Sequence, residues 1–191
     1  SGTIVFSNAA TAAGNTANTI TNNNIRDAGN RTGTITTNAT TTVTGTGTLW
    51  VVGTGCSFAS GTSTLKINDS SNTAITFAGG GFSYNNVWFA RGTSTASNTI
   101  SGSSTFADFR DDGSEAHSIL FSAATTQTFN TFTVSGTAGK LITLNSTTTG
   151  TYTFKKKTLT QISRDYLNIL HCRARGNNLW YAGANSTDNQ G

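Results

Sequence analysis

The sequence predicts an all-β protein folded as a right-handed parallel β-helix, a β-solenoid of about eight coils of about 24 residues with three short parallel sheets. Three observations lead to this prediction. The composition favours strands and tight turns over helices, short apolar-polar-apolar triplets recur along the chain, and these triplets sort into rows with a repeating step.

The composition is that of a strand-and-turn protein. Charged residues make up 10% of the 191-residue chain, against roughly 25% in an average soluble protein, so the residues that usually build helix surfaces are scarce. Thr alone accounts for about a fifth of the chain, with 21 Gly and no Pro. Because Thr is β-branched and favours strands, while Gly, Asn and Ser favour turns, the chain should form short strands joined by many turns.

The triplets predict strands of three to five residues, since residues that alternate between apolar and polar place one face inward. A strand this short buries its apolar face only when coils stack on one another. A β-sandwich is the main alternative, but it favours longer strands and Asn-Gly or Asp-Gly hairpins, and Asp112-Gly113 is the one such dipeptide. The steps predict three rows: Leu65, Ile119, Leu141 and Tyr166; Ile75, Thr99, Gln127, Tyr152 and Leu179; and Val87, Phe106, Phe132 and Leu159.

We expect one domain over residues 1–191, with irregular Thr/Asn-rich coils in 1–48 and regular coils in 49–191. The alternating stretch from Thr42 to Thr48 is expected to form one strand with an outward row of hydroxyls. The absence of Met and the texture of both ends indicate a processed product or a piece of a longer, stacking assembly.

The stretch TANTITNNNI (16–25) resembles the Asn-rich repeats of right-handed parallel β-helices in the pectate-lyase-like superfamily. That resemblance implies that Asn22, Asn23 and Asn24 belong to stacked asparagine ladders. The stretch 163–191 is similar to a repeat of large secreted or virion-associated proteins from uncultured bacteria and phages, and this resemblance implies no particular chemistry.

One segment concentrates ionisable residues, namely Asp108, Arg110, Asp111, Asp112, Glu115 and His117. A solvated turn is the favoured interpretation. The carboxylates of Asp108, Asp111, Asp112 and Glu115 are also candidates for a calcium site, because Ca²⁺ prefers hard oxygen ligands. A carboxylate pair for glycoside cleavage is the weaker alternative, and we assign no catalytic residue.

Other side chains are candidates for a ligand or partner surface. Trp88 and Trp180 are the middle residues of their triplets, so alternation predicts that they point outward, and an exposed aromatic ring is a candidate contact. The same surface would include Tyr84 and the threonines 42, 44, 46 and 48. Lys155, Lys156 and Lys157 are a candidate patch for an anionic partner. Cys56 and Cys172 should be free thiols, since about five coils separate them.

These observations favour a non-enzymatic structural or adhesive module of an extracellular or virion fibre or surface appendage. A polysaccharide-binding or polysaccharide-cleaving β-helix is the first alternative, and an ice-binding solenoid with a flat Thr array is the second. The expected partners are other copies or domains that stack on the open solenoid ends, giving a homo-oligomer or filament, and surface glycans. We expect no nucleic acid partner, no membrane insertion and no cofactor other than a possible Ca²⁺ ion.

Overall fold

The structure is a computed structural model of the chain. It describes the backbone of residues 4–6, 18–21, 33–37, 40–44, 47–51, 56–176 and 180–189. Side chains are described for residues 47–50, 59–176 and 180–188. Within these ranges the chain contains strands and turns but no helix, so no segment of them could cross a membrane as an apolar helix.

The fold is a parallel β-solenoid of about six turns, and every pairing between its named strands is parallel. One side, face A, is a sheet of seven strands. These strands are β5 (Gly47–Val51), β8 (Ile75–Ala78), β10 (Asn98–Ser101), β12 (His117–Phe121), β14 (Ile142–Ser146), β17 (Leu167–Leu170) and β20 (Thr187–Asn189).

Two further sides follow face A in each coil. Face C contains β2 (Asn18–Thr21), β4 (Thr40–Thr44), β7 (Thr64–Ile67), the second halves of β9 (Ser83–Phe89), β11 (Ser104–Asp111) and β13 (Thr126–Thr133), then β16 (Ile162–Arg164) and β19 (Trp180–Ala182). Face B contains the first halves of β9, β11 and β13, then β15 (Tyr152–Lys156) and β18 (Cys172–Arg175). The sheet of β1 (Ile4–Phe6), β3 (Gly33–Thr37) and β6 (Cys56–Ala59) holds the place of face B in the earlier coils.

A bend divides each of the long strands β9, β11 and β13 between two faces. In β11, Phe106 and Phe109 are both buried, while Ala107 and Asp108 between them are partly exposed. Two consecutive outward residues shift the alternation by one position, which turns the strand around the corner of the coil. The same pattern occurs at Asn85-Asn86 in β9.

The core consists of inward columns in which each coil stacks on the next. On face B the Phe106 and Phe129 rings stack with centroids 5.5 Å apart, and on face C the Phe109 and Phe132 rings stack at 5.7 Å. A fully buried Phe contributes about 1.5–3 kcal/mol. Because these rings lie on adjacent coils, the same contacts also fix the register of stacking.

The fold class that the sequence predicts is confirmed, and the coil count differs slightly from the predicted eight. The predicted rows are wrong. Leu65 pairs with Val87, and Ile75 reaches Ile119 through Asn98, so the predicted rows mix faces. The step between equivalent residues ranges from 18 (Ile162 to Trp180) to 31 (Ile4 to Ile35). With turns of such different length, spacing alone does not assign a strand to a face.

The predicted single strand from Thr42 to Thr48 is also wrong. Thr42 and Thr44 lie in β4 on face C, whereas Thr48 lies in β5 on face A. Gly47 has a φ of 77°, in the left-handed region that glycine adopts without strain, at the start of β5. Thr46 lies outside the described residues, as do Asn22, Asn23 and Asn24.

Candidate functional site

The outer surfaces of the three faces differ in charge. The outward side chains of face A are uncharged, and its two ionisable residues, His117 and Asp188, are in register with the inward residues Ile142 and Ile169. His117 is buried, whereas Asp188 on the last described strand is exposed. The strand segments that form face B contain no acidic residue, since Asp108 lies at the bend of β11 and Asp111 lies in its second half on face C. The described ion pairs with exposed partners, Arg110–Asp112 and Lys140–Glu115, lie on face C or at the corner between faces C and A.

Trp88 points outward, as the alternation predicts, but two cations cover its ring. The register places Lys66, Trp88 and Arg110 side by side on three adjacent strands of face C. Lys66 Nζ lies 4.2 Å from the centre of the indole ring and Arg110 Cζ lies 4.4 Å from it. The Trp88 Nε1 atom is buried and has no hydrogen-bond partner among the described residues. The three side chains therefore form a cation–π stack, which we call the Trp88 stack.

The prediction that Tyr84 belongs to an exposed partner surface is wrong. Tyr84 is 3% exposed, and its hydroxyl accepts a hydrogen bond from Trp50 Nε1 at 3.0 Å and donates one to the Gly79 carbonyl at 2.8 Å. It faces inward because the two outward residues at the bend of β9 reverse the alternation between Tyr84 and Val87.

The prediction for Trp180 is wrong as well. Trp180 pairs with the buried Ile162, and its ring packs against Phe129, Phe132 and Phe154 of the core. Its neighbour Tyr181 is the exposed aromatic residue, at 55%. Both Trp180 and Tyr181 are aromatic, so the sequence does not reveal which of them points inward in this three-residue strand.

A cavity of about 120 Å³ lies within the last coils, next to Trp180. Its wall is mostly apolar and includes Leu144 and Ile169, with Asp188 at one side. Asp188 continues the inward column of face A after Ile169. Asp188 lies on β20, the last described strand of face A, and an inward charge is one of the features that limit pairing at the edge of a sheet.

The structure disperses the four carboxylates that the sequence groups as a candidate calcium site. Asp108 accepts a hydrogen bond from Thr131, Asp112 pairs with Arg110 at 3.3 Å, and Glu115 pairs with Lys140 at 2.6 Å. Asp111 instead points into the core. No group of three or more metal-ligating side chains occurs in the part of the chain that the structure describes.

Asp111 belongs to a buried polar network at the corner between faces C and A. Asp111 Oδ2 accepts from Asn98 at 3.0 Å and lies 3.1 Å from His117 Nε2. Asn98 Oδ1 in turn accepts from Arg91 at 2.8 Å. Arg91 is 2% exposed and also donates to the backbone carbonyls of residues 69, 71, 73 and 96. The network therefore ties three successive turns together.

Sequence reasoning missed Arg91 and Asn98, although a signal for both exists. Val87 and Phe89 point inward, and the next residue in phase is Arg91. Asn98 and Asp111 likewise continue the inward phase of Ile100 and Phe109. Extending each inward pattern by two residues would have placed all three polar side chains in the core.

His117 gives the network a pH dependence. Burial favours the neutral imidazole and so lowers the pKa, but the hydrogen bond and charge of Asp111, with the Glu115 carbonyl, outweigh it and leave the pKa above its ordinary value. The positive charge of Arg91 opposes this rise. Because the folded pKa exceeds the unfolded one, the contribution to stability is full below about pH 6.5 and is lost as the pH rises through the folded pKa.

The predicted anionic-partner patch is partly wrong. Lys155 and Lys157 are exposed, but Lys156 is 7% exposed and donates to the Asn130 carbonyl and to Thr158 Oγ1. Lys156 follows the inward phase of Tyr152 and Phe154 in β15. In its place the register adds Arg175 beside Lys155, with Arg173 two residues before it.

Cys172 has a free thiol, as the sequence predicts, and burial raises its pKa to about 12. A thiol with so high a pKa is a poor nucleophile. Cys56 lies in β6 on the same face, five coils earlier, and its side chain is not described.

Comparison of the chain with protein-family models, with curated proteins and with solved structures gives no match. The fold itself defines the class: the chain is a parallel β-solenoid repeat protein.

Proposed function

We propose that the chain is a non-enzymatic structural and adhesive module that forms part of an extracellular or virion fibre or surface appendage. The observation that carries the proposal is the stack of coils itself. Each coil adds one strand to each face and one layer to continuous inward columns such as Phe109–Phe132. Such a stack makes a rod that lengthens by about 4.8 Å with each coil and presents three flat outer faces.

The polar groups support a structural role. Arg91, Asn98, Asp111 and His117 hydrogen-bond to one another and to turn carbonyls, so this network serves to hold adjacent coils together. The extracellular or virion setting rests on the sequence resemblances of 16–25 and 163–191, which remain part of the proposal.

Electron microscopy of the purified chain, with sedimentation over a hundredfold range of concentration, tests this function. We expect elongated particles that associate as the concentration rises, and no shortening of polysaccharide chains incubated with the protein. Compact particles that stay monomeric at every concentration would contradict the structural role. Polysaccharide cleavage that Asp111→Asn abolishes would replace the proposal with the enzymatic alternative.

Ice binding is a second candidate function, favoured by the uncharged outer surface of face A. Thr48, Thr76 and Thr99 are register neighbours on its first three strands. A flat array of hydroxyl and methyl groups is suited to ordering water. Thermal hysteresis of the wild-type chain that Thr76→Lys removes would support this function, and no hysteresis in the wild type would dismiss it.

A further inference from the structure

Four cations lie together on the outer side of face B and at its edge, and we infer that they bind an acidic polysaccharide. This inference rests on the adhesive part of the proposed function and names the ligand class. The cations are Lys155, Lys157, Arg173 and Arg175, all of them exposed. We call this group the face B array.

The geometry of the array follows from the strand register. Lys155 pairs directly with Arg175, so their backbones are about 4.8 Å apart. Arg173 and Arg175 are two residues apart on the same side of β18, about 6.6 Å along the strand. Lys157 follows Lys155 by two residues, immediately after the end of β15. The charges therefore lie on a flat patch that spans two adjacent coils.

The array has no counter-charge in the described protein. None of its four cations forms an ion pair with a described residue, and the strand segments that form face B contain no Asp or Glu. Like charges placed directly opposite on neighbouring strands destabilise a sheet. An arrangement that is unfavourable for the fold, on a face free of acids, indicates an anionic partner.

A second copy of the chain does not suit this role. The exposed carboxylates of Asp112 and Glu115 are already paired with Arg110 and Lys140. Asp111 is buried and bonded to His117. Asp69, Asp108 and Asp165 form no ion pair with a described residue, but each accepts a hydrogen bond within the chain. The described residues therefore offer the array no group of unengaged carboxylates.

The neighbours of the array favour a glycan over a nucleic acid. Thr128 precedes Lys155 in one outward column and Thr153 precedes Arg173 in the other, so hydroxyl groups border the cations. Proteins that bind single-stranded nucleic acids combine cations with aromatic side chains on which bases stack. The aromatic side chains Phe129, Tyr152 and Phe154 of face B are buried in the core. Hydroxyl groups beside cations match the hydroxyls and acidic groups of an acidic sugar chain.

The test measures binding of the whole chain to dextran sulfate, with neutral dextran as the uncharged match and a 20-nucleotide oligothymidine as the nucleic acid probe. We expect binding to dextran sulfate alone. Arg173→Gln/Arg175→Gln should weaken it at least tenfold. The slope of log Kd against log salt should fall from about 2.8 to about 1.4, if each contacted cation contributes about 0.7 as it does on a single-stranded nucleic acid.

The control variant Arg110→Gln/Lys140→Gln removes the same charge from paired positions and should change the affinity less than twofold. Equal loss in the two double variants would show general charge attraction and overturn the inference. Tighter binding to oligothymidine than to dextran sulfate would also overturn it, in favour of a nucleic acid partner. Circular dichroism confirms that each variant is folded. Rod-like assembly in the absence of polyanion binding would retain the proposed structural function and remove only this ligand.

Discussion

Replacing Arg91 by Met should destabilise the solenoid by about 3–5 kcal/mol, the cost typical of breaking a buried charged network. Arg91 donates five hydrogen bonds, of which the one to Asn98 and those to the carbonyls of residues 69, 71 and 73 are 2.9 Å or shorter. Each hydrogen bond to a charged group contributes about 1.5–3 kcal/mol. Five such hydrogen bonds add up to more than the destabilisation of about 3–5 kcal/mol that we expect. The difference arises because water can bind the turn carbonyls once the guanidinium is removed.

Two further variants separate charge from geometry. Arg91→Lys keeps the positive charge near Asp111 but loses the planar fork, so we expect a loss of about 2 kcal/mol. Arg175→Met removes an exposed arginine that has no ion pair and should change stability by less than about 0.5 kcal/mol.

Urea unfolding followed by circular dichroism at pH 7 measures all three variants. The slope of the unfolding free energy against urea must stay constant for the values to be compared. A loss below about 1 kcal/mol for Arg91→Met, or equal losses for Arg91→Met and Arg175→Met, would refute the view that this corner network holds the coils together.

Three other predictions follow from the same contacts. His117→Gln should cost more stability at pH 5.5 than at pH 8.5, and urea unfolding at both pH values measures this; an equal cost at both would contradict the raised pKa of His117. Arg110→Gln should lower the free energy of unfolding by about 0.5–1 kcal/mol more in the wild type than in a Trp88→Phe background, because only the wild type has the cation–π contact. It should also increase the quenching of tryptophan fluorescence by acrylamide in the wild type and leave the quenching unchanged in the Trp88→Phe background. Asp188→Leu should extend the inward column beyond Ile169 and increase self-association in sedimentation experiments, whereas unchanged association would mean that Asp188 does not protect this edge.

The fold class could be predicted from the sequence because strands as short as the triplets bury their apolar residues only when coils stack on one another. A strand such as Ile75-Thr76-Phe77 has inward and outward residues that follow from alternation alone. The row assignments could not be predicted, because the steps differ by up to 13 residues, from 18 between Ile162 and Trp180 to 31 between Ile4 and Ile35. Register depends on which apolar residues meet in three dimensions.

The bends explain most of the remaining errors. Strict alternation does not foresee that Asn85 and Asn86 both face outward, and this pair decides that Tyr84 is buried. At Lys156, in contrast, alternation alone predicts the inward position. Tyr152 and Phe154 point inward, so Lys156 in the same phase also points inward. The position of Lys155 beside Arg175 depends on the register between β15 and β18.

The sequence predicted a cationic surface, but it did not predict which residues form that surface. A run of three lysines indicated an anionic partner, and face B retains two of them. The arginines of the array are about 18–20 residues further along the chain, and only the pairing of β15 with β18 brings them to the same patch. Trp88 was placed on the correct side, but its cover by Lys66 and Arg110 required the neighbouring coils.

Lysine footprinting tests most directly whether function lies on the outer faces of the solenoid. The chain is acetylated with and without dextran sulfate, and modification of each lysine is measured by mass spectrometry. We predict protection of Lys155 and Lys157, with Lys66 and Lys140 modified to the same extent in both samples. Protection of Lys66 and Lys140 equal to that of Lys155 and Lys157 would contradict a binding surface on face B.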